Sequence, residues 1–104
     1  MKIAIIGAGN LGVSIAKGLI FSNAFTTLYL SKRKIEDILD FEEYAKVHVT
    51  SDNLEAVKNS DILIFAVQPT QFERILEEIK DELTDKHVLI STVTGFKIPR
   101  IEAI

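Results

Sequence analysis

At 104 residues, with 47% apolar and 26% charged positions, the chain has the make-up of one packed domain, which excludes a disordered or fibrous polymer. Its net charge of −3 lacks the basic excess of a nucleic-acid surface, and with no cysteine there is neither a disulfide framework nor thiolate chemistry. The longest apolar run, residues 62–67, falls far short of the about 20 residues of a membrane span, and residues 1–20 show no basic leader or small-residue cleavage site. A cytoplasmic location is therefore expected, with no membrane or nucleic-acid partner.

Residues 2–6 form a short β-rich run, after which Leu11, Ile15 and Leu19 recur at i, i+4 and i+8 and predict a helix. Residues 26–30 predict a second strand, Ile35, Ile38 and Leu39 a second helix, and residues 47–49 a third strand. Asp52 and Glu55 have the spacing of a capping box before a short helix that runs through Val57 and ends at Asn59-Ser60. Residues 62–67 read as a strand buried on both faces. Pro69 then opens a helix whose apolar face is Phe72, Ile75, Leu76 and Ile79, a stripe that fits core packing. Residues 86–91 give a fifth strand, Gly95 breaks it, and residues 98–104 predict another helix. Strands alternating with helices imply parallel βαβ units. The expected fold is α/β: one Rossmann-type doubly wound domain over residues 1–104, with a mainly parallel sheet in the order 3-2-1-4-5 and helices on both faces.

The first strand leads into Ile6-Gly7-Ala8-Gly9-Asn10-Leu11-Gly12, a GxGxxG turn that opens a helix. In this setting Gly7 permits the tight turn, Gly9 lets the backbone approach a pyrophosphate, and Gly12 lets helix and strand pack closely. The helix start near Asn10 would offer free N–H groups and its positive dipole end to the phosphates. The plainer reading, a glycine turn that serves packing only, loses ground because strand, helix and four further strands surround the motif. After the second strand, where an NAD site commonly presents an acid, stand Ser31-Lys32-Arg33-Lys34. A hydroxyl and three cations suit a 2′-phosphate, so the cofactor expected is NADP, with a solvated basic turn as the alternative. The order 3-2-1-4-5 puts the switch point between the first and fourth strands, which draws Ala66-Val67-Gln68-Pro69 into the site, with residues 91–95 next to it.

The segments IGAGNLGVSIAKGLI, SKR, TSDN, DILIFAVQP and VLISTVTGFKI occur in an order that resembles the pyrroline-5-carboxylate reductases, and the resemblance covers essentially the whole chain. It implies an N-terminal Rossmann domain that binds NADPH, in an enzyme of proline biosynthesis that reduces the imine 1-pyrroline-5-carboxylate to L-proline by hydride transfer. Carried over by motif, residues 6–11 form the pyrophosphate loop, Ser31, Lys32 and Arg33 the 2′-phosphate group, Asn53 the Asn that approaches the cofactor, and Ala66–Pro69 the family's Ala-Val-Lys-Pro loop. Gln68 replaces the usual Lys, keeping hydrogen-bonding capacity without the charge, and Val93-Thr94-Gly95 stands for Ala-Ala-Gly. Similar N-terminal domains occur in deazaflavin-linked NADP oxidoreductases. The resemblance also implies a helical C-terminal domain for substrate binding and dimerisation, so that the intact enzyme is a homo-oligomer. These 104 residues are then expected to be the cofactor-binding portion, with no catalytic residue of their own and no turnover alone. The alternatives are a nonenzymatic NADP-sensing domain or a related NADP oxidoreductase acting on another substrate.

Other constellations carry less. His48 and His87 lack the spacing of a metal site, the serines lack a nucleophile elbow, and the acids between Glu36 and Glu43 fit a solvated helix face. No metal is expected.

Overall fold

The computed structural model describes residues 1–91. Five strands form one sheet in the order β3-β2-β1-β4-β5: β1 Lys2–Ile6, β2 Thr27–Ser31, β3 Val47–Thr50, β4 Ile62–Phe65 and β5 Val88–Ser91. Every neighbouring pair is parallel. The expected Rossmann-type order is therefore observed, and the sheet among the described residues is wholly parallel.

Alternation along β1 divides the core. Ile3 and Ile5 face one side of the sheet, where they join Leu28, Leu30, Ile38 and Phe41 beneath α1 (Asn10–Ser22) and a 3-10 helix (Ile35–Glu43). Ala4 and Ile6 face the other, with Leu63, Phe65, Val57, Phe72, Leu76 and Ile79 beneath α2 (Asn53–Lys58) and α3 (Pro69–Ile79). Phe65 and Phe72 are both fully buried with ring centroids 5.1 Å apart, and each contributes about 1.5–3 kcal/mol through burial.

Several local expectations need correction. The helix expected from the Leu11-Ile15-Leu19 stripe is observed as α1, in which Gly12 and Ala16 are buried, Ile15 and Leu19 pack partly buried against the core and Leu11 is half exposed. Small residues face the sheet because this helix lies close to it. The segment with Ile35 and Ile38 is 3-10, and Phe41 rather than Leu39 shares the core with Ile38. The fourth and fifth strands are shorter than residues 62–67 and 86–91: β4 ends at Phe65, the Ala66 N–H still donating to the Ile6 carbonyl (3.1 Å) as the chain enters a loop, and His87 closes a turn by accepting the Thr84 N–H at Nδ1 (3.0 Å). At α2, Asp52 caps the Leu54 N–H (3.0 Å), but the Asp52 N–H donates to Thr50 Oγ1 (3.0 Å), so the reciprocal arm of the expected capping box goes to threonine. The break at Gly95 and the helix over 98–104 lie outside the described residues.

Candidate functional site

The three glycines of the turn after β1 stand there for three different physical reasons. Gly7 has φ +78°, and a Cβ on it would run into Val67 Cγ1. Both the backbone conformation and the packing demand glycine there. A Cβ on Gly12 would lie 3.2 Å from the Gly7 carbonyl oxygen and 3.2 Å from Ile5 Cγ2, so this glycine sets the approach of α1 to the sheet. Gly9 is different: its φ is −78°, and nothing lies within 4 Å of the Cβ it lacks. Neither conformation nor internal packing requires glycine at position 9, and the open space beside it belongs to a cavity.

The turn hangs from a single carbonyl. The Gly7 and Ala8 N–H groups both donate to the Ser31 oxygen, at 3.0 and 2.8 Å, and the Gly9 N–H donates to the Gly7 oxygen at 2.7 Å. Val13 N–H to the Gly9 oxygen (2.8 Å) is the first bond along α1, which leaves the amides of Asn10, Leu11 and Gly12 without an intrahelical acceptor. Gly9 is the N-cap residue, with no side-chain cap, and the first turn holds no acid. The positive end of the helix dipole is thus uncompensated by the protein at the cavity's edge.

The cavity measures 740 Å³, within the range of small-molecule and cofactor sites. Its floor is the turn, through Gly7, Gly9, Asn10 and Leu11. One wall is the end of β2 and the start of α2, through Lys32, Arg33 and Asn53, and the other is the loop Ala66, Val67, Gln68 and Pro69. These eleven positions are those singled out in the sequence. Four others singled out there do not line it: Ile6, Ala8 and Ser31 are fully buried, and Gly12 is buried in α1. Lys34, the third cation of the basic stretch, lines the cavity too, and the structure adds Ser51, and Gln71, Arg74, Ile75 and Glu78 from one face of α3. Their i, i+3, i+4, i+7 spacing is visible in the sequence, but Ile75 reads there as part of the core stripe, whereas it sits at the border between core and cavity.

The place of Ser31 between Ile6 on β1 and Thr50 on β3 puts it inside the sheet, with its side chain covered by the start of α2. Oγ donates to Asn53 Oδ1 at 2.6 Å and accepts the Gly7 N–H at 3.4 Å. In this geometry the hydroxyl holds the glycine turn and Asn53 together and does not face the cavity. Its one proton goes to Oδ1, so Asn53 is left with its NH₂ group as the free end. Beyond it the cavity rim is basic: Lys32, Arg33 and Lys34 on the β2 side, with Arg74 from α3. Lys32 Nζ is paired with Asp37 Oδ2 at 3.1 Å. At the opposite end, the Gln68 N–H donates to Gln71 Oε1 (3.3 Å) and the Gln68 carbonyl accepts the Gln71 and Phe72 N–H groups (2.9 and 3.0 Å), fixing the start of α3.

A family model described as NADP oxidoreductase, coenzyme F420-dependent, matches residues 2–95. A Dictyostelium discoideum protein named pyrroline-5-carboxylate reductase 2 is 42% identical over 104 residues, which cover 98% of this chain and 35% of the relative. The pyrroline-5-carboxylate reductase of Arabidopsis thaliana is 34% identical, over 93% of this chain and 36% of its own. Among solved structures, the pyrroline-5-carboxylate reductase of Coxiella burnetii superposes with a TM-score of 0.89 at 34% identity, over 98% of this chain and 38% of that one. The Plasmodium falciparum pyrroline carboxylate reductase, solved with NADP bound, gives a TM-score of 0.79 at 25% identity, over 99% of this chain and 37% of that one. The chain thus spans a little over a third of the length of these relatives.

Proposed function

The chain belongs to the family of NADP oxidoreductases described as coenzyme F420-dependent, and from that membership we propose that it binds NADP(H) as the dinucleotide-binding part of a pyrroline-5-carboxylate reductase. The observation that carries the reading is Gly9, a glycine that neither the backbone conformation nor the packing asks for, beside an open cavity and an uncompensated helix start. A pyrophosphate there would meet the amides of Asn10, Leu11 and Gly12 in a place a side chain would otherwise occupy. The residues present fit the rest of the dinucleotide. Asn53 offers an NH₂ group and Arg33 a guanidinium just after β2, where residues 31–34 include no acid, and the loop from Ala66 to Pro69, across the cavity, would take the nicotinamide half.

When bound, NADPH would supply a hydride to the imine 1-pyrroline-5-carboxylate, giving L-proline. The contribution of these residues is to hold and orient the dinucleotide, with Gln68 a neutral hydrogen-bonding group at that end of the cavity. Homo-oligomeric assembly, implied by the resemblance, and a cytoplasmic location, read from composition, belong to the same proposal. Calorimetric titration of the 104-residue chain with NADPH and with NADH tests it. Saturable binding that favours NADPH is expected, and absence of NADPH binding by a folded chain would overturn the reading.

A further inference from the structure

We propose that Asp37 is a specificity-determining residue that weakens the hold of this site on a 2′-phosphate by engaging the charge of Lys32; the inference rests on the NADP(H) reading above. The three cations after β2 look equivalent in sequence, but the fold treats them differently. Lys32 and Asp37 form an ion pair at 3.1 Å, while neither Arg33 nor Lys34 has an ion-pair partner among the described residues. The carboxylate is held in place by its own backbone, since the Asp37 N–H donates to the Lys34 carbonyl at 3.1 Å and so ties the first turn of the 3-10 helix to the basic stretch. Lys32 is fixed as well: its N–H donates to the Thr50 carbonyl at 3.1 Å, extending the sheet ladder beyond Ser31.

A phosphate arriving at this rim meets one ammonium already neutralised and a carboxylate beside it. Both features oppose a dianion, and both are removed by the isosteric change Asp37→Asn. The opposite possibility, that Asp37 helps by steering Lys32 toward the phosphate, requires one rotamer of a flexible side chain to outweigh the repulsion of a full negative charge. The side chains are 30% and 49% exposed, so solvent screens the coupling and the effect is modest.

Wild type, Asp37→Asn, Lys32→Ala and the double variant are titrated with NADPH and NADH at low and at high ionic strength, with thermal melts as a fold control. Asp37→Asn is expected to tighten NADPH binding by about two- to fivefold, to leave NADH within about twofold, and to lose most of the gain at high salt. Lys32→Ala is expected to weaken NADPH binding more in the Asp37→Asn background than in the wild type, because only there is the ammonium free. An unchanged or weakened NADPH affinity in a normally melting Asp37→Asn chain, or equal gains for both cofactors, overturns this inference and leaves the NADP(H) reading standing. A wild-type chain that binds no NADPH, or prefers NADH, overturns both.

Discussion

Ser31 Oγ meets Asn53 Oδ1 at 2.6 Å, and the carbonyl of the same serine takes the amides of Gly7 and Ala8. One residue at the end of β2 therefore holds both the glycine turn and the start of α2. Replacing Ser31 by Ala leaves Asn53 Oδ1 without its donor, at a cost of about 1–3 kcal/mol in chemical denaturation. Because the hydroxyl acts through its neighbours, NADPH and NADH affinities should fall together. A loss confined to NADPH would show instead that the hydroxyl meets the phosphate directly.

The glycines separate folding from binding. Gly7→Ala should destabilise by more than about 2 kcal/mol, since a left-handed φ and a clash with Val67 act together. In Gly12→Ala the better helix propensity of Ala, about 1 kcal/mol, works against tight contacts with a backbone carbonyl that cannot yield, and a net loss of about 0.5–2 kcal/mol is expected. Gly9→Ala should melt within a degree or two of wild type in order-of-magnitude terms, yet lose roughly tenfold or more in NADPH affinity. Equal binding by the Gly9→Ala chain would remove the main support for a pyrophosphate at this turn.

Arg33 is an exposed cation on the cavity rim beside β2, and it has no carboxylate partner among the described residues. A hydrogen bond to a charged group is worth about 1.5–3 kcal/mol, so Arg33→Ala should weaken NADPH binding roughly 10- to 150-fold. NADH should barely respond, and the difference should shrink with added salt. Parallel losses for both cofactors would assign Arg33 to the fold.

At the start of α2 the two halves of the apparent capping box should separate under mutation. Asp52→Ala removes the acceptor of the Leu54 N–H and is expected to cost about 1 kcal/mol. Glu55→Ala should change stability by less than about 0.5 kcal/mol, because Thr50 already accepts the Asp52 N–H. Urea titrations of both variants decide the point, and equal losses would place Glu55 back in the cap.

The strand order was legible because the β-rich run at residues 2–6 and the apolar run at 62–67 are strong local signals and the connections between them fit parallel crossovers. Where the wall of the cavity comes from β-strand ends, the sequence pointed to it through Gly9, Arg33, Asn53 and Val67. It was silent where tertiary geometry decides. Ser31 is polar and sits beside two cations, which reads as a ligand, but the sheet closes over it on both sides. Leu11 and Ile15 have helical spacing, but the close approach set by Gly12 selects Gly12 and Ala16 as the buried line. Arg74 and Glu78 carry no motif at all, and only the packing of α3 against β4 brings them to the rim.

The contact between Gly7 and Val67 has a thermodynamic corollary. Because the turn after β1 leaves no room for even a methyl group before it meets Val67 of the loop after β4, the floor of the cavity and that wall are closely packed, with little freedom to surrender on binding. The entropy lost on complex formation then falls on the long side chains at the rim, Lys32, Arg33, Lys34 and Arg74, each of which gives up rotamers worth about 0.5–1.5 kcal/mol when immobilised. Binding at the pyrophosphate would be close to lock-and-key, while discrimination at the adenosine end would be enthalpic gain partly cancelled by ordering, so that NADPH affinity should vary more steeply with temperature than NADH affinity does.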